Sequence, residues 1–320
     1  MSIKLNKKIL AGALAGILLF PTFISCKAKK RDFSDKIKIV STTFPPYDWA
    51  ASVIGTSDSR TINSLVVKNG LDLHNFQPST ADIVQISSAD IFVFVGGESD
   101  QWVYDALKNV TNPNIKIINL MDLIRKERQL FLEDCEEDTD EVEFDEHIWL
   151  SLRNAKICVQ AISDALCEKV PLSAEEFKKN TTDYLEEIDA LDASFNSVVK
   201  TSAHNTLIFC DRFPFRYLTE DYGLNYVAAF DGCSAETEAS FETIVKLSNS
   251  LNESGLNAVL VLENNDKKIA KTVIANAKKP TCDTFTLDSL QSTSLRDAFN
   301  GKTYIGTMRE NLGTIKKALE

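Results

Sequence analysis

A chain of 320 residues that is 44 % hydrophobic and 25 % charged has the composition of an ordinary globular protein and the length for two domains with their own cores. Its formal charge of −11 repels nucleic acid and anionic lipid and attracts cations. Nucleic-acid binding is therefore excluded as an expectation, and cation capture is not.

The first residues read as a targeting segment. Lys4, Lys7 and Lys8 precede an apolar run over residues 9–20 (ILAGALAGILLF) that is too short to cross a bilayer comfortably as a mature helix. Phe23-Ile24-Ser25-Cys26 then resembles a lipoprotein cleavage box, with Phe23 where leucine is usual. Residues 1–25 are expected to be a signal peptide, Cys26 the acylated residue, and residues 26–35 a polar tether. No later run approaches eighteen apolar residues, so the mature protein is expected to be extracytoplasmic, anchored to a membrane through its lipid and not spanning it.

Residues 36–40 alternate as a strand, and Pro45-Pro46 open a helix through Trp49, Ala50 and Val53. The β-branched stretch 61–67 (TINSLVV) predicts a second strand, followed by a loop carrying His74 and then by a helix that Ser79 can cap. Residues 91–95 (IFVFV) are typical of a strand buried on both faces; Gly96-Gly97-Glu98 ends it, a helix bearing Trp102, Val103 and Leu107 follows, and residues 116–120 form the next strand. Alternation at this spacing implies parallel βαβ units. Open sheets of that kind bind ligands beyond the carboxyl ends of their strands, which is where His74 falls.

Residues 126–146 form an acidic stretch, dense in Asp and Glu from Glu133 to Glu146, whose like charges predict a disordered loop. A solvated loop and a weak, fast collector of cations are both readings of it. The second of only three histidines, His147, follows directly in Asp145-Glu-His-Ile-Trp149. Residues 154–170 then read as a helix stopped by Pro171, with Cys158 and Cys167 as packing residues. Ser173 and Glu176 have capping-box spacing, and the helix they open can run to about residue 200, a rod of about 40 Å at ~1.5 Å per residue. Strands at 206–210, 225–230, 258–262 and 283–287 then alternate with helices at 215–222, 241–251, 267–277 and a terminal one ending at Leu319.

Gly70-x-Asp72-x-His74-x-Phe76-x-Pro78 and Glu146-His147-Ile148-Trp149-Leu150-Ser151-x-x-Asn154-Ala155 together resemble the metal-binding receptors of zinc and manganese ABC transporters, from about Lys36 to the C-terminus. The resemblance implies an α/β fold of two lobes, each a parallel sheet flanked by helices: residues 36–172 and 201–320, bridged by one long helix over residues 173–200. It implies a monomeric solute-binding lipoprotein, not an enzyme, that captures Zn²⁺ or Mn²⁺ between its lobes and delivers it to an ABC transporter permease. His74 and His147 would be ligands. The family takes a third, His or Glu, from the loop after the first strand of the second lobe. Here that loop reads Cys210-Asp211-Arg212-Phe213-Pro214, with Arg212 in the ligand's register. A guanidinium cannot ligate a cation, so Asp211 is the expected donor. Asp288 matches the fourth ligand. Glu263 and Cys233 are reserve candidates, as ligands or as residues lining the cleft beside Glu236. His204 precedes its strand and is expected at the opposite edge.

The remaining cysteines include no CxxC pair, which argues against a structural zinc ribbon. A disulfide between Cys210 and Cys233 is left open by the sequence. So are two competing functions, a secreted metallohydrolase and a surface adhesion lipoprotein. The first is disfavoured by the lack of an H-E-x-x-H or G-x-S-x-G motif.

Overall fold

The computed structural model describes residues 36–71, 73–130, 144–231 and 238–320. The signal segment with Cys26, most of the acidic stretch, and Cys233 with Glu236 lie outside the described residues. In chain order the elements are β1 (Ile37–Ser41), α1 (Phe44–Ile54), β2 (Thr61–Leu65), α2 (Thr80–Ser87), β3 (Ile91–Phe94), α3 (Gln101–Leu107), β4 (Lys116–Asn119), α4 (Leu120–Leu123), α5 (Leu152–Lys169) and α6 (Ala174–Thr201). The second half continues with β5 (Thr206–Phe213), α7 (Arg216–Tyr222), β6 (Asn225–Asp231), α8 (Phe241–Glu253), β7 (Ala258–Leu262), α9 (Lys268–Asn276), β8 (Asp283–Leu287), α10 (Leu295–Phe299) and α11 (Tyr304–Ala318).

The two sheets share one plan. Their strand orders are β2-β1-β3-β4 and β6-β5-β7-β8, and every pairing is parallel. Parallel strands need crossovers, and the helices supplying them bury the sheets on both faces. That is why β3 (IFVF) and β7 (AVLVL) are apolar and buried at every position. In each sheet the strand order reverses at the middle pair, and loops beyond the carboxyl ends at such a reversal form a crevice.

The 28-residue α6 joins the lobes, about 42 Å of continuous helix at ~1.5 Å per residue. Its start corrects one expectation. Ser173 makes no capping hydrogen bond to the helix, because its hydroxyl donates to Asp58 Oδ1 at 2.9 Å and accepts from Arg60. Glu176 in turn accepts from Ser57. Long-range partners have displaced the local box.

Each lobe has an apolar cluster of its own, around Phe92 in the first and Val259 in the second, but the largest core is shared. One apolar cluster takes in Ile39, Trp49, Trp149 and Ile162 together with Phe195, Leu260, Tyr304 and Ile315, and residues 36–320 form a single compact unit. Buried polar bonds reinforce the junction. Trp149 Nε1 donates to Ser289 O at 2.9 Å, and Tyr304 Oη donates to Trp149 O at 2.6 Å. Leu295 N donates to Lys68 O at 3.0 Å. Tyr304 N, at the start of α11, donates to Asp48 Oδ2 at 2.9 Å, a favourable place for an anion. Burial nevertheless pushes the Asp48 carboxyl up to about 6.

Candidate metal centre

Three short segments converge at the crevice of the first lobe. His74 lies in a 3-10 turn, Leu73–Asn75, between β2 and α2. The downstream helix is fixed by a reciprocal cap: Ser79 Oγ accepts from Asp82 N at 3.3 Å, and the Asp82 carboxylate accepts from Ser79 N at 2.9 Å. Ser99 and Asp100 follow β3, and Glu146 and His147 lead into α5 through the turn Ile148–Leu150. The α5 helix is capped by Ser151, whose Oγ accepts from Asn154 N at 3.0 Å.

Ligand atoms of His74, Glu146 and His147 all lie within 4.8 Å of one another. The two imidazoles stand 5.6 Å apart, centroid to centroid. Ser99 ties the group together: its Oγ is 2.7 Å from His74 Nδ1 and donates to Glu146, while its backbone N–H donates to Glu146 Oε2 at 2.9 Å. Glu146 Oε1 is 3.5 Å from His74 Nδ1. On the other side, Asp145 Oδ1 accepts from His147 N at 2.8 Å and faces His147 Nδ1 at 2.6 Å. An imidazole nitrogen held by a carboxylate carries the proton, which turns Nε2 outward as the donor for a metal. Trp149 closes the floor, edge-on to His147 at 5.2 Å.

Gly97 explains how a carboxylate is buried here. Its φ of +82° favours glycine, and an added Cβ would stand 2.6 Å from Glu146 Oε2 and 2.7 Å from Glu146 Cβ. Burial pushes the Glu146 carboxyl up. Burial first, and then the charge of Glu146, pushes Asp100 up to about 7, although Val95 N and Gly96 N donate to its Oδ2 at 2.8 and 3.2 Å. The sheet thus holds two acids that gain from company with a cation.

The residues expected from the second lobe stand elsewhere. Asp211 does not join the cluster: its Oδ2 accepts from Leu262 N at 2.9 Å and Asn265 Nδ2 at 2.6 Å, and its Oδ1 from Arg212 N at 2.8 Å. The carboxylate binds β5 to the end of β7, beside a break in β-ladder register between Phe209 and Arg212. Asp288 also stays outside, its Oδ2 2.6 Å from Lys302 Nζ. Glu263 accepts from Ser289 N at 2.8 Å and Ser289 Oγ at 2.6 Å, and its carboxyl is pushed up by burial and then by Asp288. Cys210 is a free, buried thiol, so the disulfide left open by the sequence is not formed at that residue. His204 is half-buried in the turn ahead of β5, away from the cluster.

Glu146 is the residue that sequence reasoning missed. With Asp145 it ends an acidic stretch whose charges predict disorder, yet Asp145 is fully buried and Glu146 is 5 % exposed. The Gly96-Gly97 pair after a buried strand was the available signal, since glycine there often marks a close approach of other atoms.

If Asp211 serves the β5–β7 junction, Asp211→Asn will cost stability and spare metal binding. The amide would set an NH₂ against N–H donors, a loss of about 1–3 kcal/mol. Metal-free melts and titration against a chelator measure the two effects; a tenfold or greater loss of affinity with an unchanged melt would return Asp211 to the ligand set.

A sequence model of the family described as "Zinc-uptake complex component A periplasmic" matches residues 39–318. A zinc-binding protein, AdcA, of Streptococcus pyogenes is 29 % identical over 98 % of this chain, which spans 61 % of that protein's length. The high-affinity zinc uptake system protein ZnuA of Bacillus subtilis is 26 % identical over 92 % of this chain and 91 % of its own. The Zn(II)-bound ZnuA-like domain of Streptococcus pneumoniae AdcA superposes with a TM-score of 0.71 at 27 % identity, covering 89 % of this chain and 99 % of that domain.

Proposed function

Because the chain belongs to the family of periplasmic zinc-uptake complex component A proteins, we propose that it captures Zn²⁺ outside the cytoplasm and delivers it to an ABC transporter permease. The observation that carries this reading is the convergence of His74, Glu146 and His147. Two imidazoles and one carboxylate suit zinc, which takes four ligands in a tetrahedron, and suit Mn²⁺ less, since manganese prefers an oxygen-rich octahedral shell. Water would complete the shell. The proposed domain plan is two lobes, residues 36–172 and 201–320, bridged by residues 173–200. Acylation at Cys26 would provide the membrane anchor; no helix among the described residues is long and apolar enough to cross a membrane.

Three protein ligands with one open position is also the plan of hydrolytic zinc sites. Elemental analysis of the purified chain, with hydrolase assays alongside, separates the two readings. About one zinc per chain, zinc displacing manganese in competition, and no hydrolysis are expected. Hydrolytic turnover abolished by Glu146→Gln would overturn the receptor reading, and no zinc retained after incubation and desalting would overturn both.

A further inference from the structure

Arg216, the first residue of α7 in the second lobe, is only 6 % exposed. Its Nε lies 3.8 Å from Asp145 Oδ2, and its guanidinium stands 5.9 Å over the Tyr226 ring. Among the described residues, Arg216 Nε and Nη2 and Asp145 Oδ2 have no hydrogen-bond partner. A guanidinium and a carboxylate, both buried and each with unused capacity, face one another just beyond hydrogen-bond distance. The next residue supports the same contact: Tyr217 Oη donates to Asp145 O at 2.9 Å and accepts from Leu130 N at 3.2 Å. Two consecutive residues of α7 therefore face Asp145, Tyr217 bonded to its carbonyl and Arg216 poised beside Oδ2, while its other carboxylate oxygen holds His147.

We propose that Arg216 is a positioning residue for the metal centre: acting across the lobe junction, it fixes Asp145, and through Asp145 the ring of His147. A buried carboxylate that lost its cation would turn towards other donors and release the imidazole. When zinc occupies His147 Nε2, the Nδ1–H becomes a stronger donor and draws on Asp145 more strongly, a demand Arg216 meets by closing on Oδ2. The site would thus be oriented by one lobe and lined by the other.

The sign of a single substitution separates this role from plain electrostatics. A cation near a zinc site repels zinc, so if Arg216 acted only through its charge, Arg216→Met would raise affinity. As a positioning residue its loss lowers affinity, by about the 10–100-fold typical of an outer-shell partner. The proposal rests on His147 being a ligand, so zinc alone is titrated against a competing chelator into the full chain and into His147→Ala, Arg216→Met, Arg216→Lys, Asp145→Asn and the Arg216→Met/Asp145→Asn double variant. The expected result is near-complete loss for His147→Ala and at least a tenfold loss for Arg216→Met. Arg216→Lys should give a smaller loss, and Arg216→Met should have little further effect once Asp145 is Asn. Side-chain ¹⁵N spectra of the zinc-loaded protein should show a protonated Nδ1 at His147 that is lost or averaged in Arg216→Met. Unchanged or higher affinity in Arg216→Met, or the same loss in the Asp145→Asn background, overturns the proposal while leaving the metal centre in place. Parental affinity in His147→Ala overturns the metal centre and the proposal with it. If Arg216→Met does not fold, Arg216→Lys decides: full affinity with an unaltered His147 spectrum overturns the proposal.

Discussion

Replacing Glu146 by glutamine is expected to lower zinc affinity by at least about 100-fold, the upper end of what losing even an outer-shell partner costs, and to raise the melting temperature of the metal-free protein. The two effects share one cause. Glu146 is buried beside Asp100, and both carboxyls are pushed up, Asp100 to about 7. A group with a raised folded pKa contributes stability that is fully present below its unfolded value, near ~4, and lost as pH rises through the folded value. Above the Asp100 value burial therefore works against the charged forms of both carboxyls, and zinc supplies the missing charge. Glutamine has nearly the same shape and can still accept from Ser99 N, but carries no charge. Chelator competition and metal-free melts at pH 7.5 measure both effects. Normal zinc affinity would remove Glu146 from the site. A metal-free melt lowered by several degrees would show that the charge itself supports the fold.

Acidification from pH 7 to pH 5 is expected to strip zinc without unfolding the chain. Ligating imidazoles must be neutral, and free imidazole titrates near ~6.5; below that, two of them cost roughly 100-fold in affinity per pH unit. Burial, which pushes the Glu146 carboxyl up, makes proton competition there set in at a higher pH than for an ordinary carboxylate. Over the same interval Asp48 and Asp100, at about 6 and about 7, take up protons that the fold favours, so these two acids make the metal-free protein firmer as pH falls. The carboxyls lowered by hydrogen bonds and Lys or Arg charge, such as Asp82 and Asp58, act oppositely: their contribution is present above ~4 and lost only as pH falls through their folded values, outside this window. Zinc occupancy after dialysis against a chelator and melts at pH 7.5, 6 and 5 check both halves. Full occupancy at pH 5 under those conditions would remove both histidines from the ligand set.

Elements whose identity depends on local pattern were legible in the sequence. The runs at 258–262 and 283–287 coincide with β7 and β8: β7 is a continuous apolar run because it is buried on both faces, and β8, an edge strand with only Leu287 buried, is legible from its β-branched and aromatic residues. Ser79 caps α2 through a contact three residues away. What depends on distant partners was not legible. Ser173 has a capping-box sequence and bonds instead to Asp58, 115 residues away. Asp211 reads as a ligand because it is the acid beside Arg212, which holds the family's ligand register and cannot bind a cation. Its partners, Leu262 and Asn265, lie on another crossover, and no spacing within its own loop reveals them. Glu146 was hidden by composition: a charge in a charged run looks solvated until Gly97 and Ser99 are brought against it.

The joint around Trp149 limits how an ion can leave. Swinging the lobes apart would break the bonds of Tyr304 to Trp149 and Asp48, of Trp149 to Ser289 and of Leu295 to Lys68, open a shared apolar core and bend an unbroken helix. Displacing the three-residue turn that carries His74 breaks none of those hydrogen bonds and withdraws only Leu73 from that core. For an ion held at the proposed centre, lifting that turn is therefore the less costly way out: a jeweller's setting in which one prong yields, more than a pair of jaws. A docking partner that tugged on the His74 turn could take the ion from an otherwise unmoved body.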